Sequence, residues 1–174
     1  MIRSLNEYLL TVRKDQVILV TGHSLGGALA VLYGANGDRR LRPLIRSIYT
    51  YGQPRVGDGE FVSTLSQRFP IGYYRITNEE DPVPNLPKIG YEHGGTEIYY
   101  DGEGQVYCGR PKLGWFKKPF ATGKGYVFFP GKFDRHQVAY YKQLQQKGQL
   151  IQAPAEPLQA NKQCLSIIAE KQRG

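Results

Sequence analysis

Apolar residues at Ile2, Leu5, Leu9 and Val12 recur with helical spacing and predict an amphipathic helix over 2–13. Lys14-Asp15 interrupts it. Gln16 to Thr21 is a short β-branched run, long enough for one buried strand of a parallel sheet. Leu25, Ala28, Leu29 and Leu32 return to helical spacing, and that helix ends in the glycines between 34 and 37. Ile45 to Tyr51 reads as a second strand and Tyr73 to Thr77 as a third, with a helix marked by Phe61, Leu65 and Phe69 between them. Pro82, Pro84 and Pro87 impose a loop. Glu97–Tyr100 and Gln105–Tyr107 read as short strands about the turn at 101–104, and a last helix is expected from about 135 to 146.

Helices and strands alternating in this way imply right-handed crossovers and a parallel sheet with helices on its faces, an α/β architecture. The 174 residues suffice for one domain with a useful core, expected over 1–148, followed by a polar tail over 149–174. No apolar stretch approaches the roughly 20 residues of a membrane span. The first residues carry no signal-peptide core, and the compartment stays open. Cys108 and Cys164 are too few for a disulfide scaffold and lack metal-ligand spacing, and their redox state is open too. The net charge of +8 favours anionic partners without choosing among them.

The candidate chemistry begins at Gly22-His23-Ser24-Leu25-Gly26, a G-x-S-x-G motif between a strand and a helix, the setting that makes such a serine a nucleophile. Gly22 and Gly26 would leave room for the tight turn, and Gly27, Ala28 and Ala30 would let the helix approach the sheet. The helix N-terminus directs free N–H groups at the reacting centre, with the amide of Leu25 as an oxyanion donor. A phosphate-binding loop is excluded, because no Lys-Ser or Lys-Thr follows the glycines.

Such a serine needs a base, and the base an acid to orient it. The sequence has three histidines. His23, adjacent to Ser24, is expected to point the other way and pack behind the sheet. His93 lies in a turn, and His136 opens the last helix. The acid should follow a later strand, where Asp81 fits and Glu79 and Glu80 compete. Chain order suits His136, while His93 follows Asp81 with little chain to cross back over the elbow. Spacing alone leaves both histidines in play.

Together these segments resemble the class 3 lipases. Val20 to Ala30 is similar to that family's nucleophile block, Tyr49-Thr50-Tyr51-Gly52-Gln53-Pro54-Arg55-Val56-Gly57-Asp58 to its following strand and turn, Arg75 to Pro87 to its acid loop, and Gly90 to Ile98 to the block after it. The resemblance spans residues 17–100 and implies an α/β-hydrolase fold. It implies Ser24 as nucleophile, Asp81 as acid, His93 as a structural histidine and therefore His136 as base. The activity implied is hydrolysis of lipid esters with no metal or organic cofactor.

Two departures qualify the match. The family places Asp directly before this His, where the chain has Asp134-Arg135-His136, and residues 101–133 do not follow the family pattern. Members also carry early strands, a loop with a second oxyanion donor and a lid ahead of the elbow, so this sequence reads as the nucleophile half, its counterpart upstream or on another polypeptide. A remnant or interaction module that keeps the motif without catalysis is the alternative. Over 110–135 seven basic residues interleave with Trp115, Phe116, Phe120, Tyr126, Phe128, Phe129 and Phe133. That composition suits peripheral contact with an anionic lipid surface, or a hairpin whose aromatics fill the core. No nucleic-acid-binding module is recognisable.

Overall fold

The computed structural model describes residues 7, 9, 11, 16–69, 72–101, 105–109, 134–147 and 149–150. Apart from isolated positions, the helix expected over 2–13 lies outside the described residues. So do the basic aromatic segment up to 133 and the tail from 151.

Six strands form one sheet in chain order: β1 (Ile18–His23), β2 (Ile45–Tyr51), β3 (Tyr73–Asn78), β4 (Thr96–Tyr100), β5 (Gln105–Cys108) and β6 (Gln149–Leu150). β1 to β4 are mutually parallel, as the alternation of elements predicts, and β5 pairs antiparallel with β4. β6 pairs parallel with β5, so the sheet takes in two residues beyond position 148. Cys108, which closes β5, is disulfide-bonded.

β3 is buried along its whole length, and its alternate side chains feed two separate cores. On one face Tyr73 joins Ile45, Ile48, Leu65 and Phe69 under two helices, α1 (Leu25–Asn36) and α2 (Gly59–Arg68). On the other, Tyr74 and Ile76 join Ile98, Tyr100 and Val106 under Tyr141 of α3 (Val138–Lys147). Asp58 caps α2 by accepting a hydrogen bond from the Phe61 amide at 2.9 Å. Placing helices on both faces leaves the C-terminal ends of β1, β2 and β3 converging at one rim, where α/β sheets collect their chemistry.

α1 forms where the spacing predicts but presents a different face. Gly27, Ala28, Ala30, Val31 and Gly34 are buried against the sheet, and Leu25, Leu29 and Leu32 are exposed. A Cβ on Gly34 would stand 2.4 Å from Ile48 Cδ1, so the helix lies too close to the sheet for large side chains to intervene. The helix is apolar on both sides, and small size rather than hydrophobicity marks the inner one.

Candidate active site

The backbone at Ser24 adopts φ 57° and ψ −130°, and among the described residues Ser24 alone has positive φ without being glycine. A residue with a Cβ stays there only if its surroundings over-determine it. Here the Ser24 amide donates to Tyr51 O at 2.9 Å, tying the turn to β2, and Ser24 O accepts from Gly27 N at 3.0 Å as α1 begins. A Cβ on Gly22 would lie 2.2 Å from Gly26 O, so the turn can close only over a glycine at 22. A Cβ on Gly26 would meet nothing within 4 Å. The crowding expected at both glycines is therefore a property of Gly22, with Gly26 contributing its carbonyl.

The side chains of Ser24, His136 and Asp81 meet in one line of hydrogen bonds. Ser24 Oγ lies 2.7 Å from His136 Nε2, and His136 Nδ1 lies 2.8 Å from Asp81 Oδ2. The three come from separate elements: the β1–α1 turn, the loop after β3, and a 3₁₀ turn just before α3. The Asp81 side chain is 0% exposed and that of His136 13%, so water does not compete for their contact. Asp81 also accepts from Val83 N at 2.9 Å through Oδ1 and from the Tyr141 hydroxyl at 2.6 Å through Oδ2. These donors fix both oxygens of a buried carboxylate, as burial of a charge requires.

Glu80 takes another direction. Its Oε2 pairs with Arg135 Nε at 3.1 Å and accepts from Tyr140 OH at 3.3 Å, while the Arg135 guanidinium lies 4.6 Å above the Tyr140 ring. The Arg135 carbonyl accepts from Asn78 Nδ2 at 3.1 Å. The residue that interrupts the family pattern before His136 is thus part of what anchors the His136 turn to the end of β3. Glu79, through its amide, is bound to Tyr100 O at 2.8 Å.

His93 stands apart from this line. Its Nε2–H donates to Pro84 O at 2.6 Å, bracing the proline-rich loop that follows Asp81, and its Nδ1 is buried without a hydrogen-bond partner among the described residues. Burial, reinforced by the Arg75 charge, lowers its pKa to about 4. Between pH 6.5 and 4 the unfolded chain therefore binds a proton that the native state refuses. The contribution of His93 to stability is complete above pH 6.5 and is lost as pH falls towards 4. In thermal melts across this range the parent Tm should fall more steeply than that of His93→Gln, which cannot take up that proton. Parallel curves would contradict the assignment.

His23 departs from expectation. It lies against His136 rather than behind the sheet, its Nε2–H donating to the His136 carbonyl and its ring centroid 4.6 Å from that of His136. The expectation assumed strict alternation of side chains, which lapses where β1 gives way to the left-handed Ser24 turn. Tyr141 and Gly52 are the other neighbours that sequence reasoning missed.

The family profile described as "Lipase (class 3)" matches residues 1–91. The secreted mono- and diacylglycerol lipase 1 of Fusarium solani is 44% identical over 86 residues, covering 48% of this chain and 25% of that protein. Phospholipase A1-II 1 of Oryza sativa is 38% identical over 102 residues, covering 56% of this chain and 25% of that protein. The chain thus spans about a quarter of the length of these curated relatives. A solved triacylglycerol lipase, described as having a serine protease triad as its catalytic centre, aligns with a TM-score of 0.50 at 33% identity, covering 57% of this chain and 39% of that one.

Proposed function

The chain belongs to the class 3 lipase family, with the α/β-hydrolase fold of its structural neighbours, and on that premise we propose that it hydrolyses a lipid ester with Ser24 as nucleophile, His136 as general base and Asp81 as the acid that orients it. The observation that carries the reading is the unbroken line from Ser24 Oγ through His136 to a fully buried Asp81, with the serine on a strained strand-to-helix turn. A merely structural serine has no need of all three.

In this reading Ser24 Oγ attacks the ester carbonyl carbon as its proton passes to His136 Nε2. Asp81 Oδ2 holds the Nδ1–H, fixing the tautomer and stabilising the imidazolium. The carbonyl oxygen takes up the displaced electron pair. The amide of Leu25, one of the first-turn N–H groups of α1 without an intrahelical partner, faces that negative charge. Collapse expels the alcohol, which takes the proton from His136 Nε2 and leaves an acyl ester on Ser24. Water then repeats the sequence to release the acid and free Ser24.

The activities for which the relatives are named span mono- and diacylglycerols, triacylglycerols and phospholipids, so the shared substrate is an ester of a fatty acid with a glycerol-based alcohol. The head group is left unassigned. A serine-directed phosphonate should label the folded chain once, with mass spectrometry locating the adduct on Ser24. A chain that is folded by circular dichroism yet remains unlabelled would instead be a non-catalytic module of the same family.

A further inference from the structure

His23 sits beside the proposed base and is given no part in the mechanism above. Three observations bear on it. Its Nε2–H is directed at the backbone carbonyl of His136, so it grips the main chain of the residue whose side chain must be aimed. Its ring lies against the His136 ring, with centroids 4.6 Å apart and planes tilted by 35°. The ring of Tyr141, the residue that also donates to Asp81, meets His23 edge-on at 6.1 Å. The 3₁₀ turn carrying His136 is therefore held from two sides, by Asn78 on the Arg135 carbonyl and by His23 on the next carbonyl along.

We infer that His23 is a positioning residue for the base: its Nε2–H fixes the main chain of His136 and its ring backs the imidazole, so that Nε2 of His136 is aimed at Ser24 Oγ. The arrangement rests on the reading of Ser24, His136 and Asp81 given above. Nearness in sequence makes it effective. His23 and Ser24 are consecutive, so the group that grips the base and the group the base must reach are parts of one rigid turn. Any shift of that turn carries both together and preserves the 2.7 Å contact. His23 faces His136, Asp81 and Tyr141. Burial lowers its pKa and so favours a neutral ring beside a base that must itself become charged, while its hydrogen bond to the His136 carbonyl acts in the opposite sense.

Two substitutions separate the donor from the ring. His23→Phe keeps an aromatic ring and loses the N–H, and His23→Gln keeps an N–H donor and loses the ring. A displacement of about 1 Å can cost on the order of 10²-fold in rate. His23→Phe should therefore lower kcat and the rate of phosphonate labelling by about that factor with KM unchanged. His23→Gln should restore most of the loss. The low-field proton resonance of His136 Nδ1–H shared with Asp81 gives a readout independent of turnover. It should persist in the parent and in His23→Gln and broaden or vanish in His23→Phe. Parental rates and an unchanged resonance in His23→Phe would overturn the inference, as would His23→Gln behaving no better than His23→Phe. If His23→Phe fails to fold, His23→Leu, which also lacks the donor, takes its place: loss of rate and resonance supports the role, and retention of both removes it. A parent that does not label at Ser24 would instead refute the proposed reaction, while the resonance in the variants would still report whether His23 holds the base.

Discussion

His136→Ala lowers kcat on the order of 10⁶-fold if it is the base, as much as Ser24→Ala, and the double variant is no slower than either. In the proposed reaction Ser24 Oγ and His136 Nε2, 2.7 Å apart, are the two ends of one proton transfer. With the imidazole gone, the hydroxyl keeps a proton it cannot lose near neutral pH, and with the hydroxyl gone the base has nothing to activate. What survives is catalysis by the oxyanion donors and by binding, which all three variants share. His93→Ala is the control for histidine loss as such. It removes the hydrogen bond to Pro84 O and the brace on the loop after Asp81 without touching the line of proton transfer, so it should lower Tm more than kcat. Steady-state rates and melting curves on the purified variants decide the matter. Independent, multiplying effects of Ser24→Ala and His136→Ala, or a larger kcat loss from His93→Ala, would mean that these groups do not act as a unit.

The elements that positioned this site were legible wherever local pattern and local structure agree. Ile45–Tyr51 has the bounds its β-branched and aromatic run suggested, and the glycine-flanked serine falls between a strand and a helix because each of its neighbours has a strong preference of its own. The inner face of α1 was not legible, because a helix that is apolar all round has no periodicity to read, and its orientation depends on how near the sheet stands. The contacts of His23 and Tyr141 were hidden for another reason. Both depend on where residues 134–147 pack against the ends of β1 and β3, which no local pattern encodes. Arg135 shows the same limit from the other side. As a break in the family pattern it weakened the case for His136, whereas in the fold its backbone and guanidinium tie that turn to Asn78 and Glu80.

Gly52→Ala is expected to cost nearly as much as removing the carboxylate of Asp81. Gly52 follows β2 directly, with φ +57°, and its amide donates to Ile76 O at 3.0 Å, so the backbone is pinned to β3 and cannot rotate away from a new side chain. A Cβ built there would stand 2.7 Å from Asp81 Oδ2 and 3.0 Å from His136 Nδ1, the two atoms that form the 2.8 Å hydrogen bond. A methyl group cannot share that space, and with Asp81 fully buried one of the two must leave the other. If Asp81 orients His136 as proposed, loss of that hold is worth up to about 10⁴-fold in kcat. Gly52→Ala should approach that figure with little change in KM, and the left-handed backbone should add about 1–2 kcal/mol of destabilisation visible in Tm. Combining it with Asp81→Asn distinguishes this cause from general damage to the fold. If the methyl group acts by parting Asp81 from His136, the double variant is scarcely slower than Asp81→Asn alone, because the contact it disrupts has already gone. Multiplying losses in the double variant, or a Gly52→Ala chain with the parental kcat, would show that the glycine is there for the turn and not for the pair beside it.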